Sequence, residues 1–169
     1  MSTLDSSISG INSNSFLSIA EADELFGEVF GSEKWYEFSD EEKSTLLINA
    51  TNRLQTFVFS GNKKVSSQAL NWPRSYVYDY ENMEILYIPK KLKLATIELA
   101  KWIWEEADRN MTDNELLQYE HVKIGPMDFT PKANAITLPP VVNELLSSIG
   151  PGVLISNKSF QKTASGFCR

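Results

Sequence analysis

The side chains that could carry chemistry are few and scattered. The chain holds one histidine, His121, and one cysteine, Cys168. Nucleophilic catalysis needs a nucleophile beside a base, and histidine is the commonest base. His121 lies in a stretch that reads as a strand and is taken as structural. Cys168 cannot form an intrachain bridge, which fits a reducing cytoplasm, and reads as a solvent-facing tail residue. One histidine and one distant cysteine cannot build a zinc site. Asp40-Glu41-Glu42 falls at a helix start, where negative charge favours the dipole. Glu105-Glu106 with Asp108 falls on a helix face. The glycines match neither a phosphate loop nor a dinucleotide fingerprint. No enzymatic activity, metal or cofactor is expected.

A second grouping points elsewhere. Lys63, Lys64 and Arg74 stand close in sequence to Tyr76, Tyr78 and Tyr80. Bases beside aromatics are the ingredients of a platform for single-stranded nucleic acid. Three acids, Asp79, Glu81 and Glu84, are interleaved, and the net charge is −6 with a pI near 4.9. The charge is uneven: residues 1–60 carry ten acids against three bases, −7. Such a segment repels phosphates, so it reads as a solvated face, or as the wall of a channel through which DNA slides without sticking. On charge, nucleic-acid binding is not expected.

These residues need elements to position them. A capping box, Ser18 with Glu21, opens a helix carrying Ala22, Leu25, Phe26, Val29 and Phe30, with Gly31 as its stop. Ser39 with Glu42 opens a second, carrying Leu46, Leu47, Ala50, Leu54, Phe57 and Val58, with Gly61 as its stop. Leu70, Trp72, Pro73 and Arg74 follow as an anchor: Pro73 biases Trp72 away from helix, and the two large apolar side chains can bury together. Tyr76 to Tyr80 reads as a short strand or extended loop. Ile88-Pro89 opens a third helix, reaching about Asp108. Leu92, Ala95, Leu99, Trp102 and Ile103 form one stripe, and Leu94, Ile97 and Trp104 lie off it. A helix apolar on two sides is either central or packed on a partner, and Leu94, Ile97, Trp102 and Trp104 are the candidates for subunit packing.

Thr112 to Leu117 reads as a short helix or turn. His121 to Thr130 reads as two short strands around Gly125-Pro126. A last helix starts at Pro139 or Pro140, carries Val142, Leu145, Leu146 and Ile149, and is stopped by Gly150-Pro151-Gly152. The expected fold is mostly α: a bundle of about four helices with a small β-hairpin and extended termini. Residues 1–15 form a flexible arm, 16–152 the domain and 153–169 an extended C-terminal arm. Lys158, Phe160, Lys162, Phe167 and Arg169 make that arm cationic with two apolar anchors, suited to docking on a partner. No stretch is apolar enough to span a membrane, and no membrane partner is expected.

This order of elements, with Ala50-Thr51-Asn52-Arg53-Leu54, Leu70-Asn71-Trp72-Pro73-Arg74, Ile88-Pro89, Val122-Lys123-Ile124-Gly125-Pro126 and Pro139-Pro140, resembles the small head–tail connector, or adaptor, proteins of tailed bacteriophages. The likeness covers roughly residues 16–150. Some of those relatives are labelled DnaT-like single-strand DNA-binding proteins. The resemblance implies a virion structural protein. It would form a homo-oligomeric ring, usually a dodecamer, between the portal and the tail or nozzle proteins. The ring would line the DNA channel, and a C-terminal segment would dock on the portal. The different-class alternative is a single-stranded DNA-binding accessory protein in replication.

Overall fold

The protein is described by a computed structural model covering residues 3–108, 119–124, 127–131 and 139–157. Among these residues four α-helices and six short strands follow one another, and the helices dominate. The helices are α1 (Ile19–Phe26), α2 (Asp40–Leu54), α3 (Lys90–Asp108) and α4 (Pro140–Ser147). The strands are β1 (Phe57–Phe59), β2 (Asn62–Lys63), β3 (Arg74–Ser75), β4 (Tyr119–Ile124), β5 (Met127–Pro131) and β6 (Leu154–Asn157). They pair antiparallel as β1–β6, β2–β3 and β4–β5. In the last pair His121 stands opposite Phe129. The Gly125-Pro126 turn and the Thr112–Leu117 helix or turn lie outside the described residues. So do residues 158–169.

Both capping boxes form. The Ser18 Oγ accepts from the Glu21 N–H while the Glu21 carboxylate accepts from the Ser18 N–H, and Ser39 and Glu42 do the same. Reciprocal capping satisfies two of the donors that a helix start leaves open. Helix α1 stops at Phe26, five residues before Gly31. The chain turns there, the Ser32 hydroxyl donates to the Phe26 carbonyl at 2.7 Å, and a 3-10 helix over Glu33–Glu37 follows. This turn stacks Trp35 on Phe26, ring centres 4.2 Å apart, with Trp104 5.3 Å from Phe26. Phe30 lies outside the helix and is fully exposed.

Helix α2 ends at Leu54. Phe57 and Val58, expected on its stripe, belong to β1, with Phe57 and Phe59 buried and Val58 between them half-buried. Pairing with β6 takes up their backbone groups. Residues 154–157, placed in the C-terminal arm by composition, are therefore tied to the body. The N-terminal segment is tied too. The Asn14 and Ser15 amides donate to the Asp5 carbonyl, the Asn14 side chain accepts from the Asp5 amide, and the Ala69 amide donates to the Gly10 carbonyl.

Helix α3 is the centre of the fold, packed against α1, α2 and α4. Leu92, Ala95, Ile97, Leu99, Ala100 and Trp104 are all buried along it. Its two apolar faces thus meet elements of the same chain. Ile97 and Trp104 lie inside this core and present no free surface to a neighbouring subunit. Leu94 and Trp102 are half-buried at its edge, Trp102 beneath the Arg53 guanidinium at 5.0 Å.

Candidate functional site

The anchor segment holds one end of the exposed surface in place. Trp72 is buried, with its ring edge-on to Phe59 at 5.7 Å, and Leu70 is buried beside it. The Trp72–Pro73 peptide bond is cis. Arg74 works inward. Its guanidinium donates to the carbonyls of Phe59, Ser60, Gly61 and Asn71, at 3.2, 2.6, 2.6 and 3.0 Å. Burial pulls its pKa below the ordinary arginine value, yet arginine stays charged in proteins. Four carbonyls on a fixed fork bind the β1–β2 turn to the anchor and engage four of the five guanidinium N–H donors. Gly61 is required in that turn, at φ +69°, where a Cβ would overlap the Ser75 carbonyl.

Beyond β3 the chain forms a folded loop, residues 76–87. Val77 and Ile85 point inward and are buried. The Ile85 amide donates to the Val77 carbonyl at 2.8 Å, and the Asp79 amide to that of Met83 at 2.9 Å. The alternation turns the neighbours outward. Tyr76, Tyr78, Tyr80 and Tyr87 are 69, 42, 66 and 63% exposed, with Met83 and Leu86 exposed among them. Tyr76 sits at φ +61°, a costly conformation for an aromatic residue. Its amide donates to the Glu84 carboxylate at 2.8 Å.

Two of the three interleaved acids, Asp79 and Glu84, are part of the loop's own frame. Asp79 Oδ1 accepts from the Glu81 and Met83 amides, both at 2.9 Å, and Glu84 holds the Tyr76 amide. Two lysines border the loop. Lys64 donates to the Leu86 carbonyl at 3.1 Å, and Lys91 to the Ser148 carbonyl, while the Tyr80 hydroxyl donates to the adjoining Ser147 carbonyl at 3.2 Å. Both ammoniums are exposed and bonded to neutral acceptors, so their charge is not cancelled locally. Lys63 is bound to the carbonyls of Gln68 and Ala69.

The structure ties Lys64 to the loop at the Leu86 carbonyl and turns the Arg74 guanidinium onto backbone carbonyls. It adds Tyr87 and Lys91, which the sequence reading passed over. Tyr87 lies beyond the Tyr76–Tyr80 stretch and immediately precedes the helix-opening Ile88-Pro89. Lys91 sits in the first turn of α3, which the fold lays beside the end of α4. The arm residues Lys158, Phe160, Lys162, Phe167 and Arg169 lie outside the described residues. Among the described residues no cluster of His, Cys, Asp or Glu could hold a metal, and no helix is long and apolar enough to cross a membrane.

A surface of this kind can stack planar groups and hold a few negative charges, and a comparison with known families bears on what those are. The family model described as "Putative DnaT-like ssDNA binding protein" matches residues 5–161. The chain belongs to this family. No curated protein and no solved structure matches it. Membership of a DnaT-like family overturns the connector reading drawn from the order of elements. The virion role, the twelve-fold ring and the portal, tail and nozzle partners go with it, because the family's description is of DNA binding and nothing found supports an assembly. It also overturns the exclusion of nucleic-acid binding. Net charge is not a property of every surface: the −7 of residues 1–60 lies on other elements, and the Asp79 and Glu84 carboxylates hold the loop's backbone.

Proposed function

We propose that this DnaT-like chain binds single-stranded DNA on the tyrosine loop, residues 76–87, as a non-enzymatic accessory protein. The observation that carries the reading is four exposed tyrosines on one hydrogen-bonded loop bordered by Lys64 and Lys91. Family membership supports it. Every base has a π-face, so stacking on tyrosine recognises single strands without sequence preference and contributes about 1–3 kcal/mol per base. The duplex hides those faces, which selects for single strands. With two lysines at the loop among the described residues, affinity depends on the rings more than on phosphates. Its salt slope is accordingly shallow, about −1.4 in log–log form for two phosphate contacts on a single strand.

The test is anisotropy of a fluorescent oligothymidylate titrated with the full chain and with Tyr76→Ala and Tyr80→Ala. Each substitution is expected to weaken binding about fivefold or more. Absence of binding by the unaltered protein at low salt, or equal affinity of the variants, contradicts the proposal.

A further inference from the structure

A groove runs along α2 where it meets the C-terminal half of α3. Its volume is about 770 Å³. Leu46 and Ile48 of α2 and Ile103 and Trp104 of α3 line it, with Leu4 and Phe38 completing its apolar surface. Trp104 is buried and the other five are half-buried, so apolar area stays open to solvent. Asp40, Glu41 and Glu42 lie along one end. The Glu42 carboxylate is engaged in the Ser39 cap. Asp40 and Glu41 are exposed, and among the described residues neither carboxylate has an ion-pair partner, whereas Glu21, Asp23 and Glu28 each hold a lysine. The one basic residue on the lining, Lys34, has its ammonium over the Phe38 ring at 5.8 Å. None of residues 76–87 lines the groove.

We infer that this groove docks a cationic amphipathic helix of a partner protein. Charge and polarity set the occupant's chemistry. The lining is apolar and ends in two uncompensated carboxylates, so its complement is an apolar stripe with lysine or arginine beside it. Backbone hydrogen bonding sets the occupant's form. Helices α2 and α3 pair their backbone groups internally and offer an extended strand no ladder. The occupant must therefore satisfy its own backbone, as a helix does. Length sets the number of anchors. The lining residues of α2 run from Asp40 to Asn49, about 14 Å along a helix. That is room for apolar anchors at i, i+4 and i+7.

An unmet donor adjoins the groove. A smaller cavity of about 410 Å³ continues from Asn49 and Ile103 to Arg53. Arg53 Nη1 is buried with no hydrogen-bond partner among the described residues. A buried donor left unpaired is costly, and the last carbonyls of a helix have no intrahelical donor. A helix that ends at this cavity presents those carbonyls to Arg53. Docking here is independent of DNA binding at residues 76–87 and stands or falls separately.

The probe is a fluorescein-labelled, amidated leucine–lysine peptide of about four helical turns, with its leucines on one helical face. It is titrated against the full chain by anisotropy. Binding is expected, and the matching leucine–glutamate peptide is expected to bind about fivefold more weakly or worse. Ile48 is outside the buried set of α2, so Ile48→Glu spares the core while placing a charge on the groove's apolar surface. It is expected to weaken the lysine peptide about tenfold. Asp40→Lys with Glu41→Lys is expected to reverse the order of the two peptides, which a merely loosened fold does not do. Amide signals of the ¹⁵N-labelled chain, followed as unlabelled lysine peptide is added, are expected to shift at Thr45, Ile48, Asn49 and Ile103 and to stay fixed at residues 76–87. No binding of the lysine peptide, equal affinity for the two peptides, an unaltered order in the charge-reversed variant, or shifts centred on another surface each overturns the inference. So do groove signals that shift with protein concentration alone, a result that seats a second copy in the groove.

Discussion

Trp72 is the residue on which the anchor's stability rests, and its removal gives a quantitative test. The side chain is 1% exposed and set edge-on against Phe59. A buried tryptophan removes roughly 200 Å² from water, about 5 kcal/mol at 25 cal/mol per Å² as an upper bound. Truncation also leaves a cavity, and measured Trp-to-Ala costs in cores run about 3–5 kcal/mol. Nothing is recovered from hydrogen bonding, because the indole N–H has no partner in the fold among the described residues. Trp72→Ala is therefore expected to lower unfolding free energy by about 3–5 kcal/mol. Trp72→Phe keeps the edge-on ring contact and is expected to cost less than half of that. Urea titration followed by circular dichroism measures both, with an unchanged slope showing that the unfolded state is the same. A loss below ~1 kcal/mol for Trp72→Ala refutes the anchor and with it the positioning of the loop that follows.

Other consequences follow from particular contacts. Asp23 accepts from the Trp35 indole at 2.7 Å and from the Lys43 ammonium at 3.0 Å, and the Lys43 side chain is 10% exposed. Asp23→Ala leaves both donors unmet and is expected to cost about 2–3 kcal/mol by urea titration, less than a fully buried pair because Asp23 itself is partly exposed. Burial pushes the Glu21 carboxyl up, but the Lys93 ammonium and the Ser18 amide and hydroxyl outweigh it and hold the pKa below the ordinary value of about 4.5. A depressed carboxylate stabilises the fold above that pH, and the contribution is lost as pH falls through the lowered value. Glu21→Gln is therefore expected to give a flatter loss of melting temperature below about pH 4.5 than the unaltered chain. A Cβ at Gly150 would overlap the Tyr78 carbonyl and approach Asp79 Cα. Gly150→Ala is expected to cost about 1–3 kcal/mol and to weaken oligothymidylate binding by displacing the loop, both read on one preparation.

What could be read from the sequence was local. Ser18 with Glu21 and Ser39 with Glu42 announce helix starts within four residues, and Ile88-Pro89 and Pro139-Pro140 announce two more. The helix-dominated architecture with small antiparallel pairs follows from such signals. The two apolar sides of α3 indicated a central or a shared helix, and only packing could choose between them. Long-range pairing was illegible. Phe57 and Val58 continue the period of α2 perfectly well, and what makes them a strand is Leu154–Asn157, about a hundred residues on. Helix α1 ends early because Trp35 stacks on Phe26, a contact that no periodicity encodes. The N-terminal segment looked free because it is polar, yet its serines, Asp5 and Asn14 bond to one another.

The candidate site was half legible for the same reason. Three of its tyrosines and Lys64 were visible as neighbours in sequence, but Arg74 was counted with them. Only the fold shows its guanidinium turned onto four carbonyls. Lys91 was invisible as a site residue because its place at the loop depends on α4 packing against α3.

The most direct measurement is to map where single-stranded DNA touches the protein. Amide and tyrosine ring signals are followed while an unlabelled oligothymidylate is added to the isotope-labelled full chain. Shifts confined to residues 76–87, Lys64 and Lys91, with Arg74 and the acidic start of α2 unmoved, are the expected result. Shifts centred on any other surface, or none at saturating oligonucleotide, contradict the assignment of the tyrosine loop as the DNA-binding site.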